Sequence, residues 1–225
     1  MLKLKKINNN QINFLHIGKN AGTQIEHVAQ KLKHHGVNIQ IKKHRINLNN
    51  LSVGSKYFFS IREPSLRFFS GFYSRKRKGL PKYNSEWSEG ERICFEQFED
   101  ANQLAENLLN NDENGIAARI AIKTITHTGK QQFDWFYKAA NFQIYPPITI
   151  IRTEHFEKDM QRLLNILGVK LEISDLLAND NINAHRNNYD DIKPLSGLAL
   201  GNLKKWYIQD YFFYDMCEEW LKKNI

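Results

Sequence analysis

Cysteine is nearly absent from the 225-residue chain, which carries only Cys94 and Cys217. Two distant thiols in unlike segments build neither a disulfide framework nor a four-cysteine zinc site, so both read as free and buried. Proline is also scarce, at five residues, and no Pro-, Gly- or Ser-rich linker interrupts the sequence. That excludes two independently folded halves and predicts one domain over 1–225. No window approaches the roughly 18 apolar residues of a membrane span. The basic start Met1–Lys6 runs into the polar stretch INNNQIN instead of the apolar core of a secretory signal, so the expectation is a cytoplasmic protein.

What the chain does have is core-forming material: 41% hydrophobic residues and 12% aromatics, more than a disordered chain of this charge carries. Its 32 Lys and Arg against 24 Asp and Glu give a formal +8. The excess favours an anionic partner, and charge alone does not choose among nucleic acid, a membrane surface, a nucleotide and an acidic polymer.

Hydrophobic spacing organises the chain into alternating elements. Ile12–Ile17 reads as a short buried strand, and Ile25, Val28, Ala29 and Leu32 fall at helical spacing after Gly22. VNIQIK at 37–42 alternates with period two, YFFSI at 57–61 is a continuous apolar run, and Pro64 suits a helix start. Helical patterns continue from Phe95 through Leu109 and over Ala117–Thr124. ITIIR at 148–152 is a further strand, followed by a helix closed by Gly168 and an aromatic, helical C-terminus. The prediction is a single α/β domain with a mainly parallel sheet flanked by helices. Ligands of such sheets bind beyond the carboxyl ends of the strands, where the Gly18–Thr23 loop, His44 and Arg62 fall.

Two segments carry the chemistry. In HIGKNAGT, Gly18, Lys19, Asn20, Ala21, Gly22 and Thr23 link a strand to a helix N-terminus, whose open N–H groups and positive dipole end hold a phosphate. It is not a Walker A loop, because Lys19 lies between the two glycines and not directly before the Thr. In SIREPSLRFFSGFYSRKR, Arg62 ends a strand and Ser70 follows two helical turns into the next element. A guanidinium fork and a hydroxyl can grip one phosphate between them. The competing reading pairs Arg62 with Glu63 and leaves Ser70 to pack.

Together, in this order and spacing, the two segments resemble the sulfotransferases that use 3′-phosphoadenosine 5′-phosphosulfate (PAPS). HIGKNAGT is similar to their 5′-phosphosulfate loop, commonly His-Ile-Pro-Lys-Thr-x-Gly-Thr. SIREPSLRFFSGFY is similar to their 3′-phosphate segment. The likeness is greatest to carbohydrate O-sulfotransferases of the uronosyl and heparan sulfate 2-O class and their bacterial relatives, and it extends over IIRTEHFEKDMQRLLNILG and AHRNN. Gly18 stands where proline is usual, Asn20 where Thr or Ser is usual, and Gln24 where Ser or Thr is frequent, so the loop is less rigid and an amide replaces a hydroxyl donor.

The resemblance implies a P-loop-like sulfotransferase architecture and an O-sulfotransferase activity. PAPS is the donor, 3′,5′-adenosine bisphosphate (PAP) is the product, the acceptor is a carbohydrate or other hydroxyl, and no metal or nucleic acid is needed. It assigns the Gly18–Thr23 loop to the 5′-phosphosulfate, Arg62 and Ser70 to the 3′-phosphate and Arg186 to the nucleotide. Lys19 and His44 become catalytic, His44 in KKHRINL as the base that takes the acceptor proton, since an imidazole is suited to that near neutral pH. His16 is expected to fix the loop by hydrogen bonding, while His127 and His185 compete for contact with the acceptor or the nucleotide. The run Arg75–Lys78 reads as a solvated loop or a guide for a polyanionic acceptor, with Tyr83 and Trp87 as sugar-stacking rings. Two other functions fit parts of the pattern. A kinase-like phosphotransferase would need an acidic Mg²⁺ ligand, for which Glu63 is the nearest candidate, and a noncatalytic nucleic-acid-binding module would use the +8 charge.

Overall fold

The computed structural model describes residues 11–136, 142, 144–178, 189 and 191–224. Its centre is a parallel sheet built from β1 (Gln11–Leu15), β2 (Asn38–Ile41), β3 (Tyr57–Ile61) and β4 (Ile150–Arg152), in the order β2-β1-β3-β4. The register pairs Phe14 with Ile41 and Phe58, and Phe59 with Ile150. Parallel strands need crossovers, and α-helices supply the first and last of them, while β2 runs to β3 through the 3-10 turn Leu48–Asn50. The first is α1 (Gly22–Lys33); α2 (Pro64–Lys76), α3 (Glu89–Gln97), α4 (Ala101–Asn107) and α5 (Glu113–Thr124) lie between β3 and β4. After β4 come α6 (Phe156–Ile166), the short α7 (Ile173–Leu176), α8 (Gly197–Trp206) and α9 (Ile208–Lys223). The expected α/β domain with flanking helices is what forms, and its sheet is parallel throughout.

Because strand side chains alternate, the sheet feeds two cores. Ile12, Phe14, Phe58 and Ile151 pack with Ile25, Val28 and Leu32 of α1 and Met160, Leu163 and Leu164 of α6. On the opposite face Leu15, Tyr57, Phe59, Ile61 and Ile150 meet Phe136, Phe142, Phe213 and Cys217. A third core, among α2–α5 and α8, encloses Phe68, Phe72, Phe95, Leu104 and Leu203. Phe59 is fully buried, with Phe136 at 4.7 Å between ring centroids. Its truncation to Ala should destabilise the domain by about 3–5 kcal/mol. Cys94 and Cys217 are both free and buried, in different cores.

The helix expected over Phe95–Leu109 is interrupted. Phe98 ends α3, and the Asp100 carboxylate accepts from Gln103 N at 2.9 Å to start α4. An Asp that caps a new N-terminus competes with helix continuation. The C-terminal aromatics are also not uniformly core. Tyr207 is buried in the helical core and Trp206 and Tyr211 are partly buried against that core, but Phe212 is 69% exposed. Among the described residues no helix is long and apolar enough to cross a membrane.

Candidate functional site

The carboxyl ends of β1, β2 and β3 open into one cleft of about 1030 Å³, lined by His16, Lys19, Ala21–Thr23, His44, Arg62, Ser70 and His127 among others. The topology brings together what the sequence scatters over more than a hundred positions. Lys19 follows β1, His44 follows β2, Arg62 follows β3, and Ser70 lies on α2.

The loop before α1 has the backbone of an anion-binding nest. Lys19 (φ 70°) and Ala21 (φ 57°) both take the left-handed conformation although neither is glycine. Such residues cost about 1–3 kcal/mol each and persist where the surroundings hold them, often at ligand sites. Ala21 gives α1 no side-chain cap, and the first turn has no acidic residue, so the positive helix end faces the cleft uncompensated. Gly22 is required by close approach: a Cβ there would stand 1.7 Å from His16 Nε2. Lys19 Nζ and the Thr23 hydroxyl make no hydrogen bond or ion pair with the described residues. Burial first, then the charges of Arg62, Arg77 and Arg67, brings the Lys19 pKa down to about 8, so it remains mainly an ammonium at neutral pH.

Two of the loop residues expected to bind phosphate through the site face elsewhere. The Asn20 side chain is fully buried, and its Nδ2 donates to Ser60 O at 2.8 Å and Gln132 Oε1 at 2.7 Å. Ser60 Oγ returns a bond to Asn20 O at 2.6 Å. The amide therefore anchors the loop to β3 and is not a donor to the cleft, a correction to its expected role. Gly18 is buried beneath the lining, and its carbonyl accepts from Arg67 Nε at 3.0 Å. Gln24, only 4% exposed, lines the cleft with neither amide atom partnered among the described residues. A buried amide left so is costly until a ligand meets it.

Arg62 is not paired with Glu63. The Glu63 carboxylate caps α2, accepting from Leu66 N and Ser65 Oγ at 2.7 Å each, and also takes the Tyr211 hydroxyl. The Arg62 guanidinium has no hydrogen bond or ion pair with the described residues, and its pKa is lowered by burial first, against the raising fields of Glu154, Tyr189 and Glu63. A half-buried cation with no partner among the described residues, lining the same cleft as the 7%-exposed Ser70, is suited to an anion. What holds Arg62 is its backbone, through Gln132: Arg62 N donates to Gln132 Oε1 at 3.0 Å, and Gln132 Nε2 donates to Arg62 O at 2.8 Å.

Three imidazoles meet beside Lys19. His16 and His44 lie 4.1 Å apart between ring centroids, and His44 and His127 6.3 Å. The His44 Nδ1 is 3.1 Å from the His16 carbonyl oxygen. A carbonyl only accepts, so the proton sits on Nδ1 and the lone pair on Nε2. His16 thus positions His44 through its backbone, while its ring packs over Gly22. The pKa of His44 is lowered, first by desolvation of the ring's inner side and then by Lys130, Lys19 and Arg67, against the raising effect of the His16 carbonyl. The His16 pKa falls to about 3 through burial and then His44; that of His127 falls to about 3 through burial and then Lys19. His127 is itself left-handed (φ 78°) and lies against Gly18, where an added Cβ would be 3.3 Å from its Nδ1. Among the described residues no group of three or more His, Cys, Asp or Glu side chains is placed to hold a metal ion.

The basic run Arg75–Lys78 is not a solvated loop, since Arg75 and Lys76 form the last turn of α2 and Arg77 caps it. Arg75 is buried and makes a paired contact with Glu91, Nε to Oε1 and Nη2 to Oε2, both 2.8 Å. Against burial, which raises it, Arg75 and the N–H groups of Thr126 and Ser88 hold the Glu91 carboxyl down at about 2. Lys78 pairs with Glu86 and lies over the Trp87 ring at 5.2 Å. Trp87 Nε1 donates to Arg75 O at 2.7 Å, and with exposed Tyr83 it lines the far side of the cleft. Arg186 and His185 lie outside the described residues.

Two positions that the sequence did not single out organise this site. Arg67, inside the SIREPSLRFF segment, ties Gly18 O to Lys130 O, 2.9 Å from its Nη1, and so joins the nest to the segment carrying His127. Gln132 links the nest to Arg62 and shows no signal in the sequence. The fold and site thus define a class, a parallel α/β domain with two separate cationic positions and an imidazole cluster in one cleft. The chain matches no protein-family model and no curated protein sequence.

Proposed function

We propose that the protein is a PAPS-dependent O-sulfotransferase that moves a sulfuryl group from PAPS to an acceptor hydroxyl, on a carbohydrate. The observation that carries this reading is the pair of cations, Lys19 and Arg62, that line one cleft from two separate strand ends with no hydrogen bond or ion pair to the described residues. PAPS has two separated anionic groups, a 5′-phosphosulfate and a 3′-phosphate, and the order of motifs around Lys19 and Arg62 resembles the segments that bind each. ATP presents one contiguous phosphate chain and no 3′-phosphate. A kinase reading further needs Glu63 as a metal ligand, and that carboxylate is occupied at the start of α2.

In this mechanism the acceptor oxygen attacks sulfur as the bond from sulfur to the bridging oxygen of PAP breaks. His44 Nε2 takes the acceptor proton. Lys19 and the N–H groups of the nest stabilise the negative charge that grows on the leaving oxygen, as preorganised donors do in phosphoryl transfer. Arg62 and Ser70 hold the 3′-phosphate, and Thr23 adds a hydroxyl at the 5′ side. Thermal unfolding with PAP, ATP and a mixed-sequence oligonucleotide is the direct test, because a ligand of the native state raises its stability with occupancy. PAP should give the largest shift. Stabilisation by ATP or the oligonucleotide but not by PAP would overturn the proposal. A mass-spectrometric screen of neutral and acidic oligosaccharides with PAPS then identifies the acceptor by the gain of one sulfuryl group.

A further inference from the structure

We propose that Gln132 is the residue that sets selectivity for the 3′-phosphate, by fixing the backbone from which Arg62 projects; this rests on the reading of Arg62 given above. Gln132 is fully buried in the 3-10 turn Gln132–Trp135, 70 residues from Arg62 in sequence. Its amide makes a two-way clamp on Arg62, accepting from Arg62 N at 3.0 Å and donating to Arg62 O at 2.8 Å. The same Oε1 accepts from Asn20 Nδ2 at 2.7 Å, so one side chain spans the roots of both anion positions. Gln132 is itself held from behind, since its N–H and that of Phe133 donate to the buried Asp210 carboxylate at 2.8 and 2.9 Å.

The two ends of the clamp are not equally dependent on it. Asn20 keeps two bonds to Ser60 whether or not Gln132 is present. Arg62 follows the last residue of β3, and among the described residues its guanidinium has no hydrogen-bond or ion-pair partner to aim it. Gln132 provides side-chain bonds to both its N–H and its carbonyl. Loss of the amide should therefore disturb the 3′ position more than the nest. Displacement of a charged fork by about 1 Å is enough to weaken bidentate recognition strongly.

The test is calorimetric binding of PAP and of adenosine 5′-monophosphate to the parent protein, Gln132→Met, Arg62→Ala and the double variant. Met conserves the volume and apolar stem while removing the amide. Gln132→Glu, which keeps the acceptor for Arg62 N and Asn20 but not the donor, serves if the Met variant does not fold. The parent should prefer PAP over the monophosphate. Gln132→Met should reduce that preference roughly tenfold with little change in monophosphate affinity, and in the Arg62→Ala background it should reduce it no further, because residues acting through one contact are not additive. Equal weakening of both nucleotides, or full additivity in the double variant, assigns Gln132 a general structural role and overturns the inference alone. A parent protein with no preference for PAP overturns the 3′-phosphate reading on which it stands.

Discussion

Lys19 should bind the donor's product with uptake of a proton, and the amount is set by its place in the site. Burial and three neighbouring guanidinium groups bring its pKa to about 8. At pH 8 about half of the free protein therefore carries a neutral Lys19, by the definition of a pKa. An anion against the amine restores the charged form, so PAP binding at that pH should take up as much as about half a proton. The ligand does not mask this. Phosphate monoesters have their second pKa near 6 and are already dianions at pH 8. The uptake should shrink toward zero near pH 6.5, where Lys19 is protonated before binding. Above pH 8, affinity should fall by up to about tenfold per pH unit from this group alone.

The assay is isothermal calorimetry of PAP in two buffers of different ionisation enthalpy at pH 6.5, 8 and 9, with the parent protein and Lys19→Met. The slope of apparent enthalpy against buffer enthalpy counts the protons. Lys19→Met should bind more weakly and show almost no uptake at pH 8. An unchanged proton count in Lys19→Met would place the titrating group elsewhere and refute the argument that Lys19 meets the anion.

His44→Ala should leave PAP affinity nearly intact and lower single-turnover sulfation by about 10²–10⁴, the usual loss for a general base; the acid limb of the parent profile should vanish with it, and parental turnover in the variant would reject His44 as the base. His16 and His127 have folded-state pKa values of about 3, below the unfolded value near 6.5, so the unfolded chain binds more protons between those limits and stability falls as pH falls through that window. Each should remove about 1.6 kcal/mol between pH 6.5 and 5, and urea titrations of His127→Gln should show a correspondingly shallower pH dependence; identical slopes would contradict it. Gln24→Leu removes a buried amide that no described residue meets, so it should raise the stability of the free protein by about 1 kcal/mol while weakening PAP. Thermal scans with and without PAP read both effects, and a variant with lower free stability and parental PAP binding would show that the amide has no ligand to meet.

The strands, the first crossover and the two cationic positions were legible because each is local. Apolar runs mark β1, β3 and β4, Pro64 marks the start of α2, and the phosphate-type loop is confined to a few residues between Ile17 and Thr23. Even Asp100, which breaks the expected long helix, is a local signal, a capping residue in front of ANQ. What could not be read is which side chains are occupied. Arg62 and Arg75 lie only thirteen positions apart, yet Arg75 is locked to Glu91 across α2 and α3 while the Arg62 guanidinium has no hydrogen bond or ion pair among the described residues.

The same limit decides how a motif with altered letters should be judged. Asn20, in place of a hydroxyl residue, reads by type as a substitute phosphate donor, since an amide also donates. In the fold its amide is turned away and joined to Ser60 and Gln132. The nest must then rely on its backbone, on Lys19 and on Thr23, and its shape is kept by long-range bonds from Arg67 and Ser60. Anion binding by such a loop depends less on the residue types inside it than on the buried polar groups that hold two non-glycine residues left-handed. Accordingly Asn20→Ala should perturb the site through the loop's anchoring. Thermal stability and PAP affinity should fall together, and an affinity loss with stability unchanged would instead make the Asn20 amide a direct ligand group.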